Sequence, residues 1–594
     1  MTKRNFLDVA RSASGRRWVP RLEDERLAEA ISQRYELPEI LGRVMAARGV
    51  ALDDAEAFLN PTIRSLMPQP SALRDMEKGA KRIADAVIAR TKIGIITDYD
   101  VDGVSSGAIF KLFLKCVGSD AIIHVPDRLI EGYGPSEFAV KSLKEQGCEL
   151  LLTLDCGVLA HDPLAHAAEL GLTTIIVDHH QASEILPEAY AVINPNRQDD
   201  ISGHGYLCAA GVVMILIATI NKLLRAAGYY TEACPEPNML QWLELVALAT
   251  VCDVVPLKGL NRAYVTQGLK IMSRRENLGL SQLSDIARLK RSPDVYALGF
   301  VLGPRLNAAG RIGHADMALE LLTTKDKGRA NQLAQELELL NRQRQAIEMR
   351  VVDAAIIQAE AALGKDHRAS VLVVTNDSWH PGVVGLAASR LKDRYQLPSF
   401  VLASDPKKGV ASGSGRSIAG VDIGAAIRAA HEAGVIVKGG GHAMAAGLTV
   451  EIAKLGAFRE FLEGQLASSV SGAAENTLAI DGALTATGAT LDLIELLEQA
   501  GPYGAAHSSP MFAFPAHKVV YADPAGADHI RCTLAGSDGT RIKAIAFRAM
   551  GTELGELLLG ERKMPLHIAG RLTIDEWGAK RVPSIQIEDV ALVS

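Results

Sequence analysis

The stretch Ile93-Gly-Ile-Ile-Thr-Asp98-Tyr-Asp100-Val-Asp102-Gly103 decides the fold. Ile93 to Ile96 is a short apolar run and reads as a buried strand. Three carboxylates, Asp98, Asp100 and Asp102, follow in the turn. Gly103 then opens an apolar-periodic segment to Val117 that reads as a helix. Two unit charges about 4 Å apart repel by roughly 4 kcal/mol at an effective dielectric near 20. Alternate acids sharing one site therefore need a cation; otherwise the loop is an ordinary solvated turn. Asp98-x-Asp100-x-Asp102-Gly103 also matches the opening of an EF-hand. That loop needs Glu at its twelfth position, here Ile109, and a preceding helix where a strand is read. The EF-hand is set aside, and the rest of the chain decides between turn and metal.

From residue 76 to about 260 the pattern alternates. Helix Met76–Arg90 leads to strand 93–97, helix 104–117 and strand Ala121–Val125. Helix Ser136–Gln146, strand Glu149–Leu154, helix Leu164–Leu170 and strand Thr173–Val177 follow. Such alternation predicts a parallel sheet with right-handed crossovers, whose ligands sit beyond the carboxyl ends of the strands. Three strands end in acid, at Asp98, Asp155 and Asp178, so three carboxylates are expected at one sheet edge. Asp178 is followed by His179 and His180. A lone His is usually a satisfied polar group, but two after an acid at a ligand edge favour a metal site. Imidazole with carboxylates suits manganese, zinc or iron better than calcium. The apolar helix pattern Leu243–Val251 ends at Cys252-Asp253, and a carboxylate after a buried run needs a partner.

The 594 residues allow three or four domains. With 48% hydrophobic and 22% charged residues the chain is globular rather than disordered. No apolar run reaches the roughly 18 residues of a membrane span, and the nearest, Cys208 to Ile220, reads as a buried helix. The basic N-terminus lacks an apolar signal core, and Asp8, Glu23, Asp24 and Glu25 weaken a transit-peptide reading. Seven cysteines without a C-x-x-C pair exclude a complete disulfide framework and disfavour zinc knuckles. A reducing cytoplasm is the expected location. A net charge of −6 confines any nucleic-acid contact to a local groove.

Four motifs now stand in order: Asp98-Tyr-Asp-Val-Asp-Gly103, Leu154-Asp-Cys-Gly157, Asp178-His-His180 and Thr250-Val-Cys-Asp-Val-Val-Pro256. In order and spacing they resemble the DHH phosphoesterases, whose α/β sheet carries a two-metal site. The resemblance implies Asp100, Asp102, Asp155, His179 and Asp253 as ligands of two divalent ions, Mn2+ or Mg2+, with Asp155 bridging. It implies Asp98 ligating or orienting water, His180 polarising the scissile phosphate, and Asp178 holding an imidazole.

Further along, Val301-Leu-Gly-Pro-Arg-Leu-Asn-Ala-Ala-Gly-Arg311 reads as a loop. Arg329 to Ala362 reads as a long solvent-bridging helix of mixed charge. Ser412-Gly-Ser-Gly-Arg-Ser417 and Gly439 to Gly447 read as glycine-rich loops whose N–H groups could cradle phosphate. Together they resemble the DHHA1 domain, with Gly440-Gly441-His442 the most recognisable piece. After 475, short strands (477–480, 516–521, 531–534, 541–547, 565–572 and 584–590) suggest a β-barrel. Its position resembles the OB-fold of the exonuclease branch of the family, which binds single strands over about 4–16 nucleotides. Tyr503, Phe512, Phe514 and Phe547 could stack bases or fill the barrel core. One departure is Gly501-Pro-Tyr-Gly504 running into Ala505-Ala-His-Ser-Ser509, where family members carry a Gly-x-Gly-Asn sequence.

The expected architecture is thus a parallel-sheet DHH domain (76–260), after an N-terminal helical segment (1–75). A helical connector (261–365) joins it to a smaller α/β DHHA1 domain (366–470), and an OB-like barrel follows (471–594). The resemblance implies a 5′→3′ exonuclease specific for single-stranded DNA, releasing 5′-mononucleotides in DNA repair and recombination. Arg128, Ser412, Ser414 and Arg416 would hold a 5′-phosphate, and Arg305 and His442 would touch the strand. The expected partners are single-stranded DNA, a single-strand-binding protein and a RecQ-type helicase, with no membrane, and the chain acting as a monomer. A short-oligonucleotide phosphodiesterase and a degenerate replication scaffold stay open as alternatives.

Overall fold

The computed structural model describes residues 4–128, 130–364, 369–472, 476–560, 564–575 and 581–593. The expected boundary at 365/366 falls outside these. The chain divides into two units, Met67–Val255 with Gln267–Ala474, and Met1–Leu66 with Pro256–Thr266 and Glu475–Ser594.

The first unit holds a five-stranded parallel sheet. Its order is Ala121–His124, Ile93–Thr97, Leu150–Leu154, Thr173–Val177 and Ala191–Ile193. Both faces of the central strands are covered, so each reads as a continuous apolar run rather than an alternating one. The last strand, of three residues, is too short to announce itself in sequence. The ladder continues past the strand ends. Asp98 N–H donates to Leu154 O at 3.2 Å, Asp155 N–H to Val177 O at 2.9 Å, and Asp178 N–H to Ile193 O at 3.1 Å. Three acids therefore occupy successive rungs, about 4.8 Å apart.

The helix Val101–Cys116 starts from this edge, with Asp100 as its N-cap. A Cβ on Gly103 would lie 2.4 Å from Asp98 O, so the strand-to-helix turn closes only on glycine. The helix Ala209–Ala226 is long and apolar enough to span a membrane, yet 72% of it is buried inside the molecule, as expected for a core helix.

The buried helix Leu243–Cys252 places Asp253 at its C-cap. Glu244, in its first turn, is 4% exposed. Burial, with the charge of Glu276 adding and Lys325 opposing, pushes its carboxyl up from 4.5 to about 7. That carboxyl favours the fold while protonated, and the contribution is lost as pH rises from 4.5 through 7. Glu244→Gln should raise the unfolding free energy at pH 8 by about 3 kcal/mol and leave it unchanged at pH 4. Urea unfolding at both pH values reads this, and an unmoved midpoint at pH 8 contradicts it.

The stretch 301–311, read as a loop, is helical. A π-turn over Ala297–Leu302 runs into the helix Gly303–Ile312. Pro304 lies in the first turn, where no N–H is needed, and the glycines permit close packing rather than a turn. A Cβ on Gly310 would lie 2.7 Å from Tyr99 O.

The long helix runs Lys327–Leu363. Its charges are not all solvated. Arg344 and Glu348 are buried and bonded to each other, and Arg344 donates to Asn341 Oδ1 at 2.8 Å. The helix leads to a second sheet, ordered Lys438–His442, Ala445–Glu451, Val410–Arg416, Ser399–Asp405 and Leu372–Asn376.

Both glycine-rich stretches expected as loops are strands here: 410–416, and the hairpin 438–442/445–451. Their glycines make room across the sheet. A Cβ on Gly413 would meet Val401 O at 2.1 Å, and one on Gly415 the Phe400 ring at 2.3 Å.

In the second unit a six-stranded sheet closes into a barrel because Phe512–Ala525 pairs with both His529–Ala535 and Leu566–Asp575. Phe512 and Phe514 are fully buried core. Tyr503 donates from its hydroxyl to Leu497 O at 2.5 Å. Phe547, 51% exposed, is the ring of those four that faces solvent. Thr477–Ile480 does not join the barrel sheet as expected. It pairs in parallel with Arg17–Pro20, a strand that the helical reading of the N-terminal segment missed. Trp18, fully buried, donates Nε1–H to Asp589 Oδ2 at 3.0 Å.

Candidate metal centre

The eight residues expected at the centre meet at one sheet edge. In three donor groups each residue offers one ligand atom within 4.8 Å of the others: Asp155 with His179 and His180, Asp102 with His179 and Asp253, and Asp98 with Asp100 and Asp155. Asp155 and His179 each belong to two groups. His179 Nε2 lies 3.3 Å from Asp155 Oδ1, 3.6 Å from Asp253 Oδ2 and 3.7 Å from Asp102 Oδ2. Acids some 150 positions apart therefore share one pocket.

Their electrostatics leave a gap that a cation fits. Burial, then the charges of Asp102, Asp100, Asp98 and Asp253, hold the Asp155 carboxyl well above its ordinary range. Burial and Asp102 push Asp253 up to about 9. Asp98 is raised by burial and Asp100. Burial holds His179 below the usual imidazole range, so it is uncharged and cannot neutralise these acids. Asp98 Oδ1, both Asp155 oxygens, His179 Nε2 and Asp253 Oδ2 are buried with no hydrogen-bond partner. Orphaned oxygens and an imidazole nitrogen converging this way fit divalent ions. The nearby thiols of Cys156, Cys208 and Cys252 are driven upward by burial, and none of them belongs to a donor group. Among the described residues the donor set is thus oxygen and nitrogen only, suited to manganese or magnesium rather than a thiolate metal.

Second partners fix the donors. Asp100 Oδ1 accepts from Asp102 N–H at 2.9 Å and Gly103 N–H at 3.2 Å. Asp102 accepts from Ala209 N–H and Ala210 N–H, at 2.6 and 2.9 Å, across the start of helix Ala209–Ala226. Each carboxylate oxygen keeps a second lone pair. Asp178 accepts from Val158, His179 and His180 N–H groups and lies 2.7 Å from His180 Nδ1. Burial opposes its ionisation, but His180 brings it down to about 2. Burial likewise opposes the His180 cation, yet the bond to Asp178 lifts it to about 9. Asp155 has φ 63° and Val254, beside Asp253, φ 60°. Left-handed backbone at non-glycine residues beside the centre is strain held by the surroundings.

Facing the acids is a cluster of guanidinium groups. Burial, then Arg128, Arg344 and Arg416, hold Arg311 down at about 10, with Asp100 opposing. Arg416 is lowered by burial and by Arg128. Arg128 lies over the Tyr99 ring at 5.3 Å. Ser414 and Arg416 share a strand face, and a Cβ on Gly385 would lie 3.3 Å from Ser414 Oγ and 3.1 Å from the Arg416 guanidinium. Repelling cations packed so closely invite an anion.

Of the remaining expected residues, two are engaged by other side chains and the third lies within the field of Arg416. Ser412 Oγ is 2.8 Å from Thr449 Oγ1. Arg305 donates to Glu338 Oε2 and Val301 O, both at 2.7 Å. His442, on the exposed hairpin, is lowered by burial and by the charges of Arg416 and His180.

Sequence reasoning passed over three neighbours. Tyr133 donates to Asp155 O at 3.1 Å, and Asn307 accepts from Val101 N–H at 3.2 Å. Arg311 closes the same quoted stretch as Arg305, and that position was its available signal.

The domains match known families: "DHH family, N-terminal domain" over residues 92–250, "DHHA1 domain" over 368–468 and "RecJ OB domain" over 480–589. The single-stranded-DNA-specific exonuclease RecJ of Bacillus subtilis is 31% identical over 98% of this chain and 71% of its own length. The RecJ of Salmonella typhimurium is 36% identical over 80% of this chain and 83% of its own. The chain belongs to the RecJ family. A crystal structure of RecJ in complex with Mn2+ from Thermus thermophilus superposes with a TM-score of 0.79 at 25% identity. It covers 96% of this chain and 78% of that one. The RecJ architecture of DHH domain, long helix, DHHA1 domain and OB-like barrel is thus the one present here.

Proposed function

We propose that this chain is a single-stranded-DNA-specific exonuclease, degrading 5′→3′ to 5′-mononucleotides in DNA repair and recombination. Membership of the RecJ family and the named activity of its relatives support the reaction class. The single observation that carries it is the convergence of Asp98, Asp100, Asp102, Asp155 and Asp253 with His179 at one sheet edge. Asp100, Asp102, Asp155, His179 and Asp253 would hold two divalent ions, Mn2+ or Mg2+, with Asp155 shared. Such ions supply neutralisation of the attacking and leaving oxygens and acidify water.

The chain's own groups do the rest. Asp98 presents its unpartnered Oδ1 to orient the attacking water. His180, clamped by Asp178, donates to a non-bridging phosphate oxygen. Arg128, Arg311 and Arg416, with Ser414, take the terminal 5′-phosphate and so set the direction of travel. Ser412, Arg305 and His442 line the path beyond it. The division at 75/76, 260/261, 365/366 and 470/471 is proposed with these roles. So are action as a monomer in the cytoplasm and cooperation with a single-strand-binding protein and a RecQ-type helicase.

Digestion of end-labelled single strands with Mn2+ tests this. A 5′ label should appear at once as mononucleotide while a 3′-labelled strand shortens progressively. Release of the 3′-terminal nucleotide first, or equal attack on blunt duplex, contradicts it.

A further inference from the structure

Tyr296 and Phe300 are 66% and 71% exposed, and their rings stack with centroids 5.1 Å apart and planes 27° apart. The buried side of this turn is the other one, formed by Ala297, Leu298 and Leu302. The rings ride on the π-turn Ala297–Leu302, a geometry frequent at functional sites. This turn is fixed to the segment that carries Asp253. A Cβ on Gly299 would lie 3.4 Å from Val251 Cγ1 and one on Gly303 2.4 Å from Cys252 Sγ. The Cys252 thiol donates to Leu298 O at 3.5 Å.

Downstream, the same helix sends Asn307 to the catalytic loop and Arg311 into the guanidinium cluster. At 1.5 Å per residue, Phe300 and Arg311 are about 16 Å apart along the axis, a span of a few nucleotides. Upstream, Arg288, Lys290 and Arg291 are exposed cations of the sign that phosphates require.

We propose that Tyr296 and Phe300 form a base-stacking platform for the single strand on its way to the metal centre. The proposal rests on the exonuclease reading above. The occupant is nucleic acid because the rings ride on a helix that continues into the guanidinium cluster beside the metal centre, and in chain order they follow the exposed cations of 288–291. Stacking on exposed rings tolerates any base, since every base has a π-face. A duplex keeps its faces inside its own stack, so the platform selects for unpaired strands.

The test compares a 5′-phosphorylated dinucleotide with a 30-mer of mixed sequence, using wild type, Tyr296→Ala, Phe300→Ala and Phe300→Trp. Each alanine should raise the KM for the 30-mer about ten-fold with kcat unchanged. The dinucleotide, too short to reach the rings, should lose nothing, and Phe300→Trp should restore the 30-mer. Equal losses on both lengths, or none on the 30-mer, overturn the platform. Altered sedimentation of DNA-free Phe300→Ala would assign the rings to a second copy of the chain and also overturn it. Anisotropy of a labelled 30-mer reads the platform without turnover. A wild type inert as a nuclease whose variants still lose affinity would refute the exonuclease reading and keep the platform.

Discussion

Asp155→Asn lowers turnover on single-stranded DNA by about 10³-fold, the loss expected when several kcal/mol of transition-state charge stabilisation disappear. In the metal-free protein the same change raises the melting temperature. Both outcomes follow from one circumstance. Asp155 is 1% exposed, surrounded by four other acids, and has no hydrogen bond to either oxygen. Without a cation its charge only costs stability; with one it would be the shared donor of the proposed centre. Asparagine keeps the shape and tolerates φ 63°, so the fold is spared. Melting in EDTA and digestion with Mn2+ read the two halves. A variant less stable than wild type in EDTA would contradict the buried-charge argument, and full turnover would contradict the metal role.

Arg416→Ala lowers kcat/KM on 5′-phosphorylated strands by about 10- to 100-fold, the worth of charge-assisted bonds to one phosphate. On strands with a 5′-hydroxyl the variant and wild type should differ far less. Arg416 is half-buried beside Arg128 and within the field of Arg311, and it donates to Gly415 O at 2.8 Å. Relief of mutual repulsion by a bound anion is what the substitution removes. Equal losses on phosphorylated and hydroxyl ends would place Arg416 on the strand path rather than at the terminus.

The acidic edge was legible because buried parallel strands write themselves as unbroken apolar runs, and the residue after each run marks the sheet edge. Asp98, Asp155 and Asp178 needed no more than that. Asp253 was legible as a charge ending a buried helix. Glycine was the misleading residue. Gly413, Gly415, Gly303 and Gly310 suggested loops, yet each serves close approach between packed elements, which a single sequence does not distinguish from a turn. The strand Arg17–Pro20 escaped because its partner lies some 460 residues away. Arg344 and Glu348 read as solvated charges because their pairing at i, i+4 looks the same on a buried face as on an exposed one. The grip of Asn194 and Asn196 on the carbonyls of His180 and His179 left no trace, since any residue offers a carbonyl there.

Counting bound manganese bears most directly on the shared pocket. Wild-type protein loaded with Mn2+ and freed of excess should retain two ions per chain. Its EPR spectrum should show a spin-coupled pair, as ions about 3.5–4 Å apart would give. Asp155→Asn should retain at most one. Two magnetically isolated ions, or a single ion with undiminished digestion, would contradict a centre built on that carboxylate.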